Sequence, residues 1–195
     1  ILLNFINNCR VDCGMLSAES ASKELLNRLF SINGKADTQR IATGRMKHSD
    51  FSKIMDTASE YSNRNIYVYD EENMKLETAI IKAREMKRRF DIKILFVDYL
   101  QCLTGNQKLP RHEQVAEMSK SMKALARKLE IPVVVAAQLR RDAEGKRPTI
   151  SDFSDSTQIE RDADVAVMIY NKEEKLPSGI EIVNNYLLVE KNRDG

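Results

Sequence analysis

Short apolar runs alternate with longer amphipathic stretches along the chain. The apolar runs lie at residues 11–16, 66–69, 94–97, 133–137, 165–170 and 186–189. Most of them are nearly continuous rather than alternating, which is typical of strands that are buried on both faces of a sheet. The pattern therefore predicts six strands.

Helical spacing fills several of the intervals between these runs. Residues 22–32, 76–90 and 113–130 place apolar side chains three and four positions apart. Pro132 ends the third helix and begins the next strand. Strand, helix and strand at this spacing predict parallel strands joined by crossovers. We therefore expect an α/β fold, with a mostly parallel sheet covered by helices on both faces.

Length and composition agree with one globular domain that spans residues 1–195, since 42% of the residues are apolar. The net charge of +2 creates no strong overall field, so any basic binding surface must be local. No apolar run approaches the roughly 18 residues of a membrane span, and no membrane partner is expected. Three cysteines are too few for a disulfide framework, which favours a reduced, cytoplasmic location.

Polar residues follow the predicted strands, where an open parallel sheet binds its ligands. These residues are Ser17, Glu19, Asp70, Asp98, Gln138, Glu190, Lys191 and Arg193. Carboxylates, an amide and two cations at one edge of a sheet suit a magnesium-bound polyphosphate. Lys191 and Arg193 have no anionic partner within their own segment, although a solvated strand end would look the same.

Residues 94–98 read Ile-Leu-Phe-Val-Asp, the pattern of a Walker B strand in P-loop ATPases. An acidic residue also commonly opens a loop after a buried strand, and Glu19 could simply belong to a helix start that Ser20 or Ser22 caps. The phosphate-binding motif G-x-x-x-x-G-K-[ST] does not occur in the sequence. The pattern alone leaves open an ATPase and a module without hydrolysis.

Three longer runs resemble the C-terminal ATPase domain of DnaB-type replicative DNA helicases: ILFVDYLQ at 94–101, EMSKSMKALA at 117–126 and IPVVVAAQL at 131–139. The similarity continues at 146–148, 151–153, 159–164 and 191–195, and covers nearly the whole chain in order. The resemblance implies a RecA-like fold and a homo-hexameric ring that unwinds duplex DNA by translocating on single-stranded DNA. It also implies ATP or another NTP, Mg²⁺, and a primase and a helicase loader as partners.

The resemblance implies a role for each matching residue. Asp98 matches the Walker B aspartate, which holds Mg²⁺ through water, and Glu19 matches the glutamate that orients or deprotonates the attacking water. Gln138 matches the glutamine that links the γ-phosphate to the DNA loops. Lys191 and Arg193 match a lysine and an arginine finger that act on the nucleotide of the neighbouring subunit.

The segment that should grip DNA departs from the family pattern. After Ser151 and Asp152 the family usually carries Leu-Arg-Glu-Ser-Gly-Ser, whereas residues 153–158 here read Phe-Ser-Asp-Ser-Thr-Gln. Residues 151–164 have a net charge of −4, which makes a poor phosphate clamp by charge alone, but amides and hydroxyls can still bind phosphate. The candidate DNA-binding residues are Arg140, Arg141, Ser154, Asp155 and Thr157.

The chain opens directly on an apolar stretch that predicts a helix over residues 1–8, with a short connection to the strand at 11. We expect the first core strand and the P-loop to be missing upstream of that helix, and the fragment to be inactive without them. Two alternatives to the helicase are a recombinase-type RecA-like ATPase and a degenerate RecA-like module for assembly or DNA binding. The helicase is preferred because the residues that would partner a P-loop are present in type.

Overall fold

The computed structural model describes residues 9, 11–34, 38–61, 65–154, 157–175 and 181–194. The chain divides into two compact units. The first unit comprises Ile1–Thr104 and Leu125–Ala136, and the second comprises Gly105–Ala124 and Ala137–Gly195. The helix predicted over residues 1–8 lies outside the described residues.

The first unit is built on a parallel sheet. Its strands are β1 (Cys13–Ser17), β2 (Ile66–Asp70), β3 (Ile94–Asp98) and β4 (Val133–Val135), and its helices are α1 (Ser22–Gly34), α2 (Thr38–Thr43), α3 (His48–Tyr61) and α4 (Leu76–Phe90). The strands lie in the order β2-β1-β3-β4, and every neighbouring pair is parallel. All five residues of β1 are buried, as the continuous apolar run predicts for a central strand.

Helices cover both faces of this sheet. On one face Cys13, Met15, Ile94 and Phe96 form a buried cluster, and Leu25 of α1 packs against it. Side chains alternate between faces along a strand, so Gly14 lies on the other face. A Cβ atom built on Gly14 would lie 3.2 Å from the Met86 sulfur of α4. The prediction of a parallel sheet between two helical layers is therefore confirmed for this unit.

The second unit contains an antiparallel pair of long strands. Its elements are most of α5 (Arg111–Leu129), α6 (Thr157–Asp162), β5 (Val165–Lys175) and β6 (Glu181–Asn192). The sequence predicts strands at 165–170 and 186–189. It also predicts that they run parallel to the other strands and end at the same edge of the sheet. That expectation is wrong for β5 and β6, which pair antiparallel in a sheet of their own. Only residues 176–180 join them, and a parallel crossover needs about a dozen residues.

We expect Gly14→Ala to destabilise the fold by about 1–3 kcal/mol, because overpacking of a buried site forces its neighbours to shift. The added Cβ would lie 2.6 Å from Cδ1 of Ile92 and 3.1 Å from Cδ1 of Leu95. Gly34→Ala is the control, since its nearest neighbour would be 3.5 Å away at ordinary contact distance. Urea unfolding of the two variants measures the difference, and equal midpoints would contradict the tight packing of α4 on β1.

Candidate functional site

Glu19 and Asp98 lie at the carboxyl ends of adjacent strands in the first unit. Ser17, the last residue of β1, pairs in register with both Asp70 of β2 and Asp98 of β3. The Ala18 N–H then donates to the Asp98 carbonyl oxygen over 2.9 Å. Glu19 follows directly and is exposed, whereas Asp98 is partly buried. Strand pairing therefore holds the two carboxylate-bearing positions at one edge of the sheet.

The turn that carries Glu19 is fixed by the hydroxyl of Ser17, which is only 1% exposed. This hydroxyl donates to the Ser20 carbonyl over 2.6 Å and accepts the Ser20 N–H over 3.2 Å. The Glu71 N–H donates to the Ser17 carbonyl over 3.2 Å, which ties the turn to the end of β2 as well. These hydrogen bonds set the backbone position from which the Glu19 side chain extends.

A residue of β2, rather than the predicted Ser20 or Ser22, supplies the side-chain acceptor at the start of α1. The Ser22 N–H donates to Oδ2 of Asp70 over 2.7 Å, so the acceptor differs from the one in the alternative interpretation of a serine cap. A carboxylate is a strong acceptor that also complements the positive end of the helix dipole, whereas Ser20 is held inside the turn. The backbone hydrogen bond from Ser22 lowers the pKa of Asp70, followed by the hydrogen bond from the Ser22 side chain. Asp70 therefore has a structural role, since it binds the start of α1.

Tyr99 connects the two candidate carboxylates electrostatically. A hydrogen bond with the Cys102 side chain raises the pKa of Tyr99 to about 12, with contributions from burial and from the charges of Cys102, Glu19 and Asp98. Both carboxylates therefore act on the same phenol, which stays protonated at neutral pH. Tyr99 belongs to the run that resembles the helicase family. Its raised pKa could not be predicted from the sequence, because it arises from groups that come close to Tyr99 only in the fold.

Gln138 lies in the second unit, where its backbone pairs with the candidate DNA-binding segment. The Ser154 N–H donates to the Gln138 carbonyl over 3.0 Å, and the Arg140 N–H donates to the Asp152 carbonyl over 2.8 Å. Leu139 and Phe153 form an antiparallel bridge between these two hydrogen bonds. Residues 138–140 and 152–154 are therefore a short two-stranded ladder.

The candidate DNA-binding residues differ in how far they are engaged. Arg140 forms ion pairs with Asp152 at 3.3 Å and with Asp142 at 3.8 Å. Arg141 is exposed, and so is Thr157 at the start of α6. The Ser154 backbone takes part in the ladder described above. Asp155 lies outside the described residues.

Lys191 and Arg193 contact the segment that ends α6. The Lys191 ammonium donates to the Glu160 carbonyl over 2.7 Å. The Arg193 guanidinium donates to Oδ1 of Asp164 and to the Arg161 carbonyl, both over 3.1 Å. Sequence reasoning missed Asp164 as a partner because it considered only the segment around the two cations. The hairpin register reveals it, since Val165 pairs with Asn192.

A bulge in β6 decides which face carries these two cations. Ala166 pairs with Lys191 and Val167 pairs with Val189, so one residue of β6 is extra. Ala166 is 3% exposed, whereas Val189 is 63% exposed. Without the bulge Lys191 would share the exposed face of Val189, because side chains two apart along a strand lie on one face. The bulge instead brings Lys191 to the buried face.

Asp98 is the candidate metal ligand of this site. Within the described part of the chain, no group of three His, Cys, Asp or Glu side chains is arranged to hold a metal ion. Mg²⁺ commonly uses one or two carboxylates with water and phosphate oxygens, so Asp98 at the sheet edge fits such an ion bound together with a nucleotide.

The helices within the described ranges are all too short or too polar to span a membrane.

We expect Asp70→Ala to destabilise the protein at neutral pH because α1 loses its acceptor. The folded-state pKa of Asp70 is lowered, so its stabilisation is present above the unfolded carboxyl pKa of about 4 and is lost as the pH falls through the folded value. Urea unfolding of wild type and variant at several pH values measures the difference, which should shrink below about pH 4. Glu72→Ala, in the exposed turn after β2, is the control. A difference that does not change with pH would contradict the role of the charge.

A family model for the DnaB-like helicase C terminal domain matches residues 1–195. The replicative DNA helicase DnaB of Geobacillus stearothermophilus is 31% identical over 205 residues, covering 100% of this chain and 44% of that protein. The Rickettsia bellii protein of the same name is 35% identical over 164 residues, covering 82% and 33%. The chain thus spans less than half the length of these relatives.

Solved structures agree with the fold. One, described as an ATPase domain, matches with a TM-score of 0.86 and 29% identity over 99% of this chain and 70% of that one. A DnaB-like replicative helicase, described with its interactions with primase, matches with a TM-score of 0.84 and 29% identity over 96% and 47%. These matches confirm the predicted RecA-like α/β fold. The match of the family model along the whole sequence shows that the chain belongs to the DnaB-like helicase C-terminal domain family.

Proposed function

We propose that the protein to which this chain belongs is a replicative DNA helicase, which hydrolyses ATP or another NTP to translocate on single-stranded DNA and unwind duplex. Family membership supports the proposal, and one observation carries it. The Ala18–Asp98 backbone hydrogen bond holds Glu19 and Asp98 at the carboxyl edge of adjacent parallel strands. That edge is where open α/β sheets bind nucleotides.

Each residue at this edge has a distinct task in the proposed hydrolysis. Mg²⁺, when bound with the nucleotide, would screen the phosphate charge, and Asp98 would hold it through water. Glu19, exposed on its rigid turn, would orient the attacking water and accept its proton. The different surroundings of the two carboxylates agree with this division, since Asp98 is partly buried and Glu19 is exposed.

The remaining proposed roles belong to residues of the second unit. Gln138 would contact the γ-phosphate, and Lys191 and Arg193 would act on the nucleotide of the next subunit in a homo-hexameric ring. The ladder between 138–140 and 152–154 supports a coupling of nucleotide to DNA, because a change at the Gln138 backbone is transmitted directly to Ser154. A nucleotide site shared between subunits would link each hydrolysis step to the motion of a neighbour.

The DNA strand would be held by the loops on either side of this ladder. Arg141 would supply positive charge, and the other proposed contacts with DNA are Arg140, Ser154, Asp155 and Thr157. Acidic residues of this region pair with cations within the unit, as Asp152 does with Arg140 at 3.3 Å and Asp164 does with Arg193 at 3.1 Å. Their negative charge is therefore partly compensated, which lessens the repulsion of a phosphate backbone.

Partners and location follow from the same proposal. One structural relative is described with primase, and a primase and a helicase loader are proposed partners here. The proposed location is the cytoplasm, where a replication protein acts.

We expect Glu19→Gln and Asp98→Asn in the full-length protein to lower single-stranded-DNA-stimulated ATP hydrolysis by about 10²-fold or more, because each removes a charge needed in the chemical step. Glu24→Gln on the exposed part of α1 is the matched control and should keep full turnover. Steady-state phosphate release measures the rates. Hydrolysis unchanged in Glu19→Gln would exclude this residue as the base, and an inactive wild type would favour the degenerate module.

We expect Arg141→Ala to weaken binding of single-stranded DNA and to lower the slope of log affinity against log salt by about 0.7, the value for one phosphate contact on a single strand. Lys128→Ala removes a cation of α5 that is likewise exposed and should leave the slope unchanged. Fluorescence anisotropy with a labelled oligonucleotide at several salt concentrations measures both. An unchanged slope in Arg141→Ala would exclude this residue as a phosphate contact.

A further inference from the structure

We propose that Asp164 is a positioning residue for Arg193, which holds the guanidinium in the orientation from which it reaches the nucleotide of the neighbouring subunit. The inference rests on the proposed function, since it assumes that Arg193 acts in hydrolysis. It adds a residue of the same subunit on which that action depends.

Asp164 contacts both the backbone and the side chain of Arg193. The Arg193 N–H donates to the Asp164 carbonyl over 2.9 Å, and the guanidinium donates to the Asp164 carboxylate over 3.1 Å. A second guanidinium nitrogen donates to the Arg161 carbonyl over 3.1 Å. These three hydrogen bonds therefore fix the position of both the Arg193 backbone and its guanidinium group.

The held guanidinium can still bind a phosphate. Its planar head has five N–H donors, and the two bonds to Asp164 and Arg161 use two of them. A fork-shaped contact with phosphate needs two more. The Arg193 side chain is 47% exposed, so an anion from another molecule can approach it while Asp164 stays in contact.

Asp164 offsets only one of the two positive charges that Lys191 and Arg193 bring to the end of β6. Lys191 and Arg193 together exceed the single charge of Asp164, and Lys191 is bonded to the uncharged carbonyl of Glu160. Asp164 therefore orders the arginine, and the charge of Lys191 is still present beside it to attract a phosphate. Arginine has many rotamers, and ordering it before the reaction removes an entropic cost from the transition state.

Asp164 has a second partner that offers a purely structural explanation. The Lys123 ammonium of α5 also bonds to its carboxylate. If Asp164 served only to connect α5 to this segment, then loss of Lys123 would have the same consequence as loss of Asp164. The two explanations therefore predict different results for a lysine variant.

The experiment compares four variants in the full-length protein with saturating single-stranded DNA. Asp164→Asn keeps the shape and removes the charge, and we expect it to lower kcat by about 10- to 100-fold with the KM for ATP within about twofold of wild type. Lys123→Gln breaks only the other contact and should keep kcat within about twofold. Asp91→Asn removes an exposed carboxylate that likewise bonds to two cations, here Lys87 and Lys93, and should keep both parameters. Arg193→Ala should abolish turnover.

Each outcome decides the proposal. If Arg193→Ala loses turnover while Asp164→Asn keeps it, the positioning role is overturned and the finger assignment stands. Equal losses in Asp164→Asn and Lys123→Gln overturn it in favour of a structural role. Full turnover in Arg193→Ala removes the finger assignment and the inference with it. Should Asp164→Asn fail to assemble, Asp164→Glu keeps the charge but displaces it, and an unchanged kcat in that variant overturns the proposal.

Discussion

The pairing of β1 between β2 and β3 is the constraint on which the candidate site in the first unit depends. The in-register alignment of Ser17 with Asp70 and Asp98 puts three polar residues side by side at the carboxyl end of a buried sheet. Neighbouring strands are only about 4.8 Å apart, so their terminal side chains share one small volume. The acidic residues at this edge differ in their surroundings. Asp70 is hydrogen-bonded to the start of α1, whereas Glu19 is exposed beyond the turn.

A comparable constraint acts in the second unit, where the β5–β6 register sets the surroundings of the proposed finger. Val165 pairs with Asn192, which brings Asp164 beside Arg193. The bulge near Lys191 matters equally, because a shift of one residue in a strand exchanges its two faces. With the bulge, the cations meet residues 160–164, whereas the exposed apolar face carries Leu187 and Val189. The register of β5 and β6 therefore determines which residues surround Lys191 and Arg193, as the register of β1 determines which residues lie beside Asp98.

The sequence predicts the parallel sheet well because each of its strands is a nearly continuous apolar run, and β2 even begins at the predicted residue 66. The edge positions of Glu19 and Asp98 follow from that parallel connectivity alone. Helix α3 lacks such a signal, since its large apolar residues Phe51 and Met55 are each 53% exposed and mark no buried face. The contact of Asp70 with Ser22 joins residues 48 apart, which no local pattern specifies.

Acidity in residues 151–164 is compatible with a DNA-binding role because Asp152, Asp162 and Asp164 bond to neighbouring residues and hold the described part of the segment in place. Asp152 binds Arg140 at the start of the segment, and Asp164 binds Arg193 at its end. The same segment receives the Gln138 ladder at Ser154. Any displacement of this segment by a bound strand would therefore change the surroundings of both Gln138 and Arg193. One stretch of chain is thus bonded both to the proposed sensor of the nucleotide in its own subunit and to the proposed finger for the next subunit.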